Sequence, residues 1–230
     1  MGTEDQQKGH NGVKTLALEY PHLTTSASGM VHLSEVFMPT TLIKLGDIAS
    51  IRSGYTFRGA VEPVSDGDVR ILQIKDLELD WQGDHEALPA ISWEQRVEPP
   101  FLRQGEIVVA ARGNRNVAVV YRSELPVVAT SQFLIVTLRT EESEIAPEYL
   151  CWVLNHPMTQ QMFNRSGTNI QLITKAALLD VEIPVPPVHT QRQLIELQRV
   201  WQEEDKIINK LQKNRHQLEL GILQKLLKDK

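Results

Sequence analysis

The stretch DVEIPVPPVHTQRQLI, residues 180–195, marks the point at which the chain changes character. The short apolar run VEIPV reads as a strand, and it ends at Pro186 and Pro187. Proline has no amide hydrogen to donate, so the pair stops a regular strand. From Thr190 onward the chain contains no proline. The sequence therefore predicts a globular part that stops at the proline pair, followed by a C-terminal helix over 188–230.

The C-terminal segment carries a heptad pattern. With position a placed at Leu194, seven of the ten a and d positions are apolar, as in the seam of a coiled coil. These seven are Leu194, Leu197, Trp201, Ile208, Leu211, Leu218 and Ile222. A lone helix cannot bury such a stripe, so we expect it to form an interface with a partner helix. The alternative is a helix that folds back onto its own domain.

Composition indicates a globular intracellular protein. Of 230 residues, 41% are hydrophobic, which is enough for a core, and the single cysteine, Cys151, is expected to be a small buried residue. One cysteine allows neither an internal disulfide nor a cysteine-based zinc site, which is typical of a reducing cytoplasm. The N-terminus has no apolar signal region, and no apolar run approaches the ~20 residues of a membrane span. We therefore expect a cytoplasmic protein without membrane contact.

The net charge of -5 is unevenly distributed. Segment 188–230 holds nine Lys/Arg and six Asp/Glu, which gives +3, so segment 1–187 carries -8. A negative globular part argues against a broad phosphate-binding surface. If the protein binds DNA, the sequence predicts that it does so through a local patch and with help from partners.

The globular part is predicted to be an α+β domain over 42–187, with a mixed or antiparallel sheet and short helices. An N-terminal extension over 1–41 is expected to be partly disordered. Apolar spacing predicts a short helix after Leu42 that ends at Gly54. Strands are predicted at 69–74, 106–111, 117–121, 133–138 and 181–185. Helices are predicted from Pro147 to about Asn155, from Pro157 to about Arg165 with a stop at Gly167, and as one turn at 173–180.

The loop ARGNRN at 111–116 carries the first cluster of polar side chains. Arginine can bind guanine in the major groove through two hydrogen bonds, and asparagine can do the same with adenine. Arg112, Asn114, Arg115 and Asn116 are therefore candidate base contacts. A hydrophilic hairpin turn is an equally good reading, since Gly113 and Asn114 suit a turn.

Two further clusters could contribute to the same surface. The loop SGTNIQLITK contains Thr168, Asn169, Gln171 and Lys175, which suit phosphate or base contacts. A helix end followed by a turn is the alternative there. A weaker group consists of Arg52, Ser53, Tyr55 and Arg58, and Ser131 and Gln132 could project toward the same side.

Motifs for catalysis are missing from the sequence. There is no phosphate-binding loop, no dinucleotide fingerprint and no helical pair of histidines at metal-binding spacing. Asp76, Glu78 and Asp80 alternate, but a solvated strand face accounts for them. No Asn-Pro-Pro-aromatic methyltransferase motif is present. We therefore expect a chain that is not an enzyme, has no catalytic or metal-binding residues and binds no cofactor itself.

The order of motifs resembles the specificity subunit of type I restriction-modification systems, with one target-recognition domain and one spacer helix. The motifs that carry this resemblance are Leu45-Gly46-Asp47-Ile48, Ser53-Gly54, the strand and turn at 106–116, Ser131-Gln132, Ile145-Ala146-Pro147-Glu148-Tyr149-Leu150, Gly167-Thr168, Ile173-Thr174-Lys175, Leu178, Ile183-Pro184-Val185-Pro186-Pro187, Gln191 and Ile195. Such subunits usually hold two recognition domains and two spacer helices, so this chain looks like a half subunit. It also carries Thr190 where the family commonly has an acid.

The resemblance implies a role in recognition rather than chemistry. It implies a domain that reads part of a split site in double-stranded DNA and a helix that docks adenine methyltransferase subunits. Through these the complex would include S-adenosylmethionine and, where a restriction subunit is present, ATP and Mg. A helix of ~38 residues spans about 57 Å at 1.5 Å per residue. Two such helices packed antiparallel could hold two recognition domains about 35 Å apart, the spacing of half-sites one DNA turn apart, so we expect a homodimer.

Two other classes of protein stay open. One is a protein-interaction module with a dimerising helix and no DNA binding of its own, which the negative globular part favours. The other is a recognition fragment of a fused methyltransferase-nuclease, against which the missing catalytic motifs argue.

Overall fold

The computed structural model describes residues 40–59, 62–77, 87–94, 96–113, 116–139, 144–163 and 171–228. The expected N-terminal extension over 1–41 lies almost wholly outside this range. The chain divides into two compact units, one that ends at Val188 and one that begins at His189. In chain order the described elements are β1 (Thr41–Lys44), α1 (Leu45–Ile48), β2 (Ala49–Ser53), β3 (Val69–Leu72), a 3-10 turn (Ile74–Asp76), β4 (Ala90–Ile91), β5 (Ile107–Ala110), β6 (Arg112–Gly113), β7 (Ala118–Val120), β8 (Val127–Ala129), β9 (Phe133–Leu138), α2 (Pro147–Asn155), α3 (Pro157–Phe163), β10 (Gln171–Leu172), α4 (Lys175–Leu179), β11 (Glu182–Val185) and α5 (Val188–Lys228).

A four-stranded antiparallel sheet in the order β2-β9-β5-β7 forms the centre of the globular unit. Its strands are the β-branched runs of the sequence, which suit a pleated surface with buried side chains. All four residues of β5 are buried, as are the first four of β9. In the register of this sheet Val108 of β5 lies opposite Ile135 of β9. The strands predicted at 106–111, 117–121 and 133–138 are confirmed.

A second sheet has the order β4-β3-β8, and its β3–β8 pair is parallel. The strand predicted at 69–74 forms β3, although it ends at Leu72. One buried cluster joins Leu72 and Val127 of this sheet to Val108 and Ile135 of the central sheet. The main core of the unit therefore lies between the two sheets. The predicted fold class, α+β with mixed and antiparallel pairing and a long C-terminal helix, is confirmed.

The proline-rich strand of the opening stretch is β11, and it pairs antiparallel with β1 in a two-stranded ribbon. Pro184 sits opposite Leu42 in this ribbon. Among the described residues no second strand pairs with β11, and an edge strand of this kind tolerates a proline. The hydroxyl of Tyr149, on α2, donates to the Pro184 carbonyl at 2.8 Å. The strand is thus attached to both a partner strand and a helix.

The helices predicted after Pro147 and Pro157 are confirmed as α2 and α3, and the turn at 173–180 as α4. The predicted stop at Gly167 lies outside the described residues. The helix predicted from Leu42 to Gly54 is largely wrong, because only Leu45–Ile48 is helical and the next five residues are strand β2. Ile51 pairs with Val136 and is buried, so partnership with β9 overrides the local helical spacing.

The second unit is the single helix α5, which has 41 residues and so a length of about 62 Å. Every residue from Ile207 to Lys228 is exposed in the single chain. Six of the seven apolar heptad residues are at least 41% exposed, namely Leu197 at 41%, Trp201 at 48%, Ile208 at 43%, Leu211 at 61%, Leu218 at 65% and Ile222 at 52%. This helix therefore presents an apolar stripe to solvent.

Candidate nucleic-acid interface

Backbone hydrogen bonds bring three of the predicted polar segments together at one edge of the globular unit. The amide of Ala111 donates to the Gln132 carbonyl, and the amide of Ile173 donates to the Ala111 carbonyl, each at 2.9 Å. Strand β6 also pairs with β10, so that Arg112 lies opposite Leu172. Segments 111–113, 131–132 and 171–175 are consequently neighbours, although they are separated in sequence.

The side chains on these segments are available for contact. Arg112, Gln132 and Lys175 are all exposed. Lys175 is the first residue of α4, where the Thr174 hydroxyl caps the helix by accepting a hydrogen bond from the Ala177 amide at 3.1 Å. Two cationic side chains and one amide with both donor and acceptor groups can bind phosphate oxygens and base edges.

The segment that carries Arg58 joins the same edge through Gly54 and Tyr55. The Gly54 amide donates to the Phe133 carbonyl at 3.0 Å and the Tyr55 amide to the Ala129 carbonyl at 2.8 Å. A Cβ on Gly54 would lie 2.0 Å from the carbonyl oxygen of Thr130, so only glycine allows this close approach. Arg58 is exposed, and it follows this junction by four residues.

Two of the candidate residues have structural roles instead. Asn116 is only 1% exposed, and its amide group donates to the Ala110 carbonyl at 2.9 Å. It holds the base of the 111–116 loop, so its assignment as a base contact is wrong. Arg52 is committed to an ion pair with Glu106 at 2.9 Å and to the Phe101 carbonyl at 3.1 Å.

The remaining candidates lie outside the described residues. These are Asn114, Arg115, Thr168 and Asn169, and for Gln171 only the backbone is described. They stay predictions from the sequence.

An aromatic cluster beside Arg58 was missed by the sequence reasoning. The Tyr55 ring lies 4.8 Å from Phe57 and 5.0 Å from Trp93, centroid to centroid. The three rings are partly buried against Val69, Ile71 and Val128. Trp93 comes from the irregular stretch after residue 76. A large aromatic residue among polar neighbours was the feature of the sequence that could have indicated a packed position there.

Among the described residues no group of three or more His, Cys, Asp and Glu could hold a metal ion. Cys151 is partly buried, its thiol donates to the Ala118 carbonyl at 3.1 Å, and burial raises its pKa to about 12. In the same part of the chain no helix combines the length and apolar character of a membrane span.

The comparisons with known proteins identify the family. The family model of the type I restriction modification DNA specificity domain matches residues 40–215. The chain belongs to this family. The match covers the globular unit from residue 40 onward and most of α5, which confirms the resemblance seen in the sequence.

Solved structures similar to this specificity domain share its fold. One, from a study of complex assembly and conformational transition of the type I R-M system, has 18% identity and a TM-score of 0.54, and the match covers 76% of this chain and 41% of that one. The HsdS subunit from Thermoanaerobacter tengcongensis has 18% identity and a TM-score of 0.51, and the match covers 80% of this chain and 40% of that subunit. The S subunit from M. genitalium has 13% identity and a TM-score of 0.50, and the match covers 75% of this chain and 41% of that subunit. The specificity domain spans about two fifths of the length of these structures. A search of curated proteins gave no match.

Proposed function

We propose that the chain is a non-catalytic DNA-recognition subunit of a type I restriction-modification system. The family match over residues 40–215 carries this proposal, because the family is defined by DNA specificity. The convergence of segments 54–55, 111–113, 131–132 and 171–175 on one edge supports it. A local patch of this kind suits a globular part with a negative net charge, since a few placed contacts can position and read DNA without a broad basic surface.

Arg112 is the residue that we place closest to the bases. It lies on a short strand that β10 supports, and its side chain is exposed. A bidentate arginine–guanine contact is worth about 1–3 kcal/mol of discrimination. Arg58, Gln132 and Lys175 would contribute phosphate or base contacts beside it, together with Asn114, Arg115, Thr168, Asn169 and Gln171.

Charge reversal at Arg112 tests this assignment. Arg103→Glu is the matched control, because Arg103 is also exposed but precedes β5, whereas Arg112 follows it. We expect Arg112→Glu to weaken binding to a 40-base-pair duplex of random sequence about 10- to 100-fold, and Arg103→Glu to change it little. Fluorescence anisotropy at 50 mM salt measures both. Equal affinities for the two variants would remove Arg112 from the interface.

The same measurement separates the proposal from its rival. A protein-interaction module with a dimerising helix would not bind the duplex even as the wild-type chain. The negative charge of segment 1–187 is the observation that favours this rival. Wild-type binding that weakens with rising salt would exclude it, since counterion release is the signature of phosphate contacts.

We also propose that α5 forms an antiparallel homodimer through its heptad stripe. The apolar residues of the stripe support this, because they are exposed in the single chain and contact between apolar surface and water is unfavourable. Two copies related by a two-fold axis would present two identical recognition units to a two-part palindrome.

Aspartates in the stripe test the dimer. Ile208→Asp and Leu211→Asp should each give monomers, because a carboxylate in the seam would be buried without a partner. Asn209→Asp places the same group one residue away, off the stripe, and should stay dimeric. Light scattering of the full chain reads the mass. A Leu211→Asp protein that stays dimeric would exclude this interface.

The dimer would dock adenine methyltransferase subunits, which use S-adenosylmethionine, and through them a restriction subunit that uses ATP and Mg where one exists. This chain would bind none of these cofactors. Purification of the tagged chain from its native cell, with mass spectrometry of the bound proteins, tests the docking. Recovery of an adenine methyltransferase supports it, and recovery of the chain alone counts against it.

A further inference from the structure

Three charged residues occupy core positions of the heptad pattern of α5: Glu204 and Arg215 interrupt the apolar stripe, and Lys225 lies near its end. Glu204 occupies a d position and Arg215 an a position, and both are exposed in the single chain. They lie about 16 Å apart along the helix axis, so they cannot bind each other within one helix. The ion pairs within residues 188–228 involve other side chains, namely Arg199 with Glu196, Lys206 with Glu203 and His216 with Glu219. Between Trp201 and Ile222 the seam therefore carries one negative and one positive charge that none of these ion pairs neutralises, while the third charge, Lys225, lies in its last turn.

We infer that these two charges set the register in which a second copy of the chain binds. The inference rests on the homodimer proposed above and adds its alignment. In an antiparallel coiled coil, a positions of one helix pack against d positions of the other. If the two-fold axis passes between Ile208 and Leu211, Glu204 faces Arg215 of the partner subunit, and the reciprocal pair forms on the other side of the axis.

This register uses all ten heptad core positions. The layers, each present twice, are Ile208 with Leu211, Glu204 with Arg215, Trp201 with Leu218, Leu197 with Ile222, and Leu194 with Lys225. Three of the five kinds of layer are wholly apolar. The layer with Lys225 lies near the helix end, where a lysine stem can pack while its ammonium group reaches water. The two helices overlap over residues 191–228, nearly the whole of α5.

Other registers leave the charges without partners. A slide by one heptad in one direction places Glu204 against Ile208, and the opposite slide places it against Ile222. Arg215 then faces Leu197 or Leu211. A parallel, in-register pair places Glu204 against its own copy and Arg215 against its own copy. Each of these arrangements buries a charge beside an apolar or like-charged group, which is unfavourable. Polar residues in a seam are known to select register at a cost in stability.

The register has a consequence for DNA recognition. A slide by one heptad changes the separation of the two recognition units by about 10 Å, at about 1.5 Å per residue. That distance corresponds to about three base pairs at 3.4 Å each. The Glu204–Arg215 layers thus determine the length of the spacer between the two half-sites.

Charge exchange tests the register. Glu204→Arg alone gives two arginine–arginine layers, and Arg215→Glu alone gives two glutamate–glutamate layers. We expect each single variant to raise the dimer dissociation constant at least about 100-fold. The double variant restores both pairs and should dimerise like the wild type. An equimolar mixture of the two single variants should form a heterodimer, because each layer then joins an arginine to a glutamate.

Sedimentation equilibrium of the full-length proteins, with one variant labelled in the mixture, reads all of these states. Glu203→Arg is the control, since it makes the same substitution one residue away and off the seam, and it should stay dimeric. Single variants that stay dimeric, or a double variant that stays monomeric, would overturn the register while leaving the homodimer in place. A monomeric wild-type chain at 50 µM would overturn the homodimer itself and the register with it.

Discussion

At the residue scale, a buried carboxylate immediately before β5 binds side chains of two other strands of the central sheet, β2 and β9. Glu106 is 5% exposed, and one of its oxygens accepts from Arg52 of β2 and from the Arg103 amide, both at 2.9 Å. The other oxygen accepts from the Thr137 hydroxyl of β9 at 2.9 Å. Each carboxylate oxygen has a partner, and these contacts offset part of the cost of burying the charge.

Glu106→Ala should therefore destabilise the globular unit. It removes the anionic partner of the Arg52 guanidinium and the acceptor of the Thr137 hydroxyl and the Arg103 amide, and we expect a loss of about 2–4 kcal/mol in the free energy of unfolding. Glu124→Ala, at an exposed position, should stay within about 0.5 kcal/mol of the wild type. Urea denaturation followed by circular dichroism measures both. A Glu106→Ala protein as stable as the control would show that the hydrogen bonds of Glu106 contribute nothing to the free energy of unfolding.

Cys151 allows a prediction about pH. Burial raises its pKa from 9.0 to about 12, so the folded chain holds the thiol proton over a range in which the unfolded chain loses it. The stability from this group is present below pH 9 and is lost as the pH rises toward 12. At pH 8 iodoacetamide should react with the folded protein at least about 100-fold more slowly than with the urea-unfolded protein, because the thiolate is the nucleophile. Equal rates, measured by mass spectrometry, would contradict the burial.

At the element scale, the end of α2 protects the edge of the central sheet. The Asn155 carboxamide accepts from the Ala118 amide at 2.8 Å and donates to the Ala118 carbonyl at 2.7 Å. Strand β7 is the outer strand of that sheet, and the side chain takes the place that a neighbouring strand would fill. At Ala118, a side chain of helix α2 thus makes the hydrogen bonds that a fifth strand of the sheet would make.

Asn155→Ala should weaken the attachment of α2 by about 1–3 kcal/mol, because the Ala118 amide loses its acceptor and the Ala118 carbonyl keeps only the weaker donor, the Cys151 thiol. Glu148→Ala on the same helix removes only an exposed ion pair with Arg122 and should cost less than about 1 kcal/mol. Thermal unfolding of the two variants compares these effects. A smaller shift for Asn155→Ala than for Glu148→Ala would contradict the role given to the carboxamide.

The local sequence pattern predicted most helices and strands correctly. It failed where contacts with residues distant in sequence determine the structure. The runs VRIL and FLIVTL and the helices that begin with Pro147 and Pro157 carry signals that neighbours in sequence reinforce. The segment at Ile51 satisfies helical spacing as well, and only its partner in β9 makes it a strand. In the same way, the sequence alone makes Arg52 a plausible DNA contact. The structure shows that its guanidinium binds Glu106, which is 54 residues away in sequence.

At the scale of the whole molecule, the candidate interface is made by long-range pairing. Segments 111–113 and 171–173 lie close together because β6 pairs with β10, and no local pattern predicts that pairing. The sequence could predict which side chains suit DNA but not that Asn116 is turned inward. The heptad pattern, in contrast, is periodic, and so the sequence alone predicts the apolar stripe of α5.

The exposed half of α5 should depend on dimerisation for its stability. Isolated helices are marginal in water, and residues 207–228 are exposed throughout in the single chain. We expect their amides to exchange with solvent faster when the protein is diluted below its dimer dissociation constant, because association stabilises only the paired form. Hydrogen exchange with mass spectrometry at two concentrations measures this, with β9 as an internal control whose protection should not change. In the Leu211→Asp variant the segment should exchange fast at both concentrations. Strong protection of residues 207–228 in that variant would mean that the helix is stabilised within its own chain, and the apolar stripe would then need another explanation.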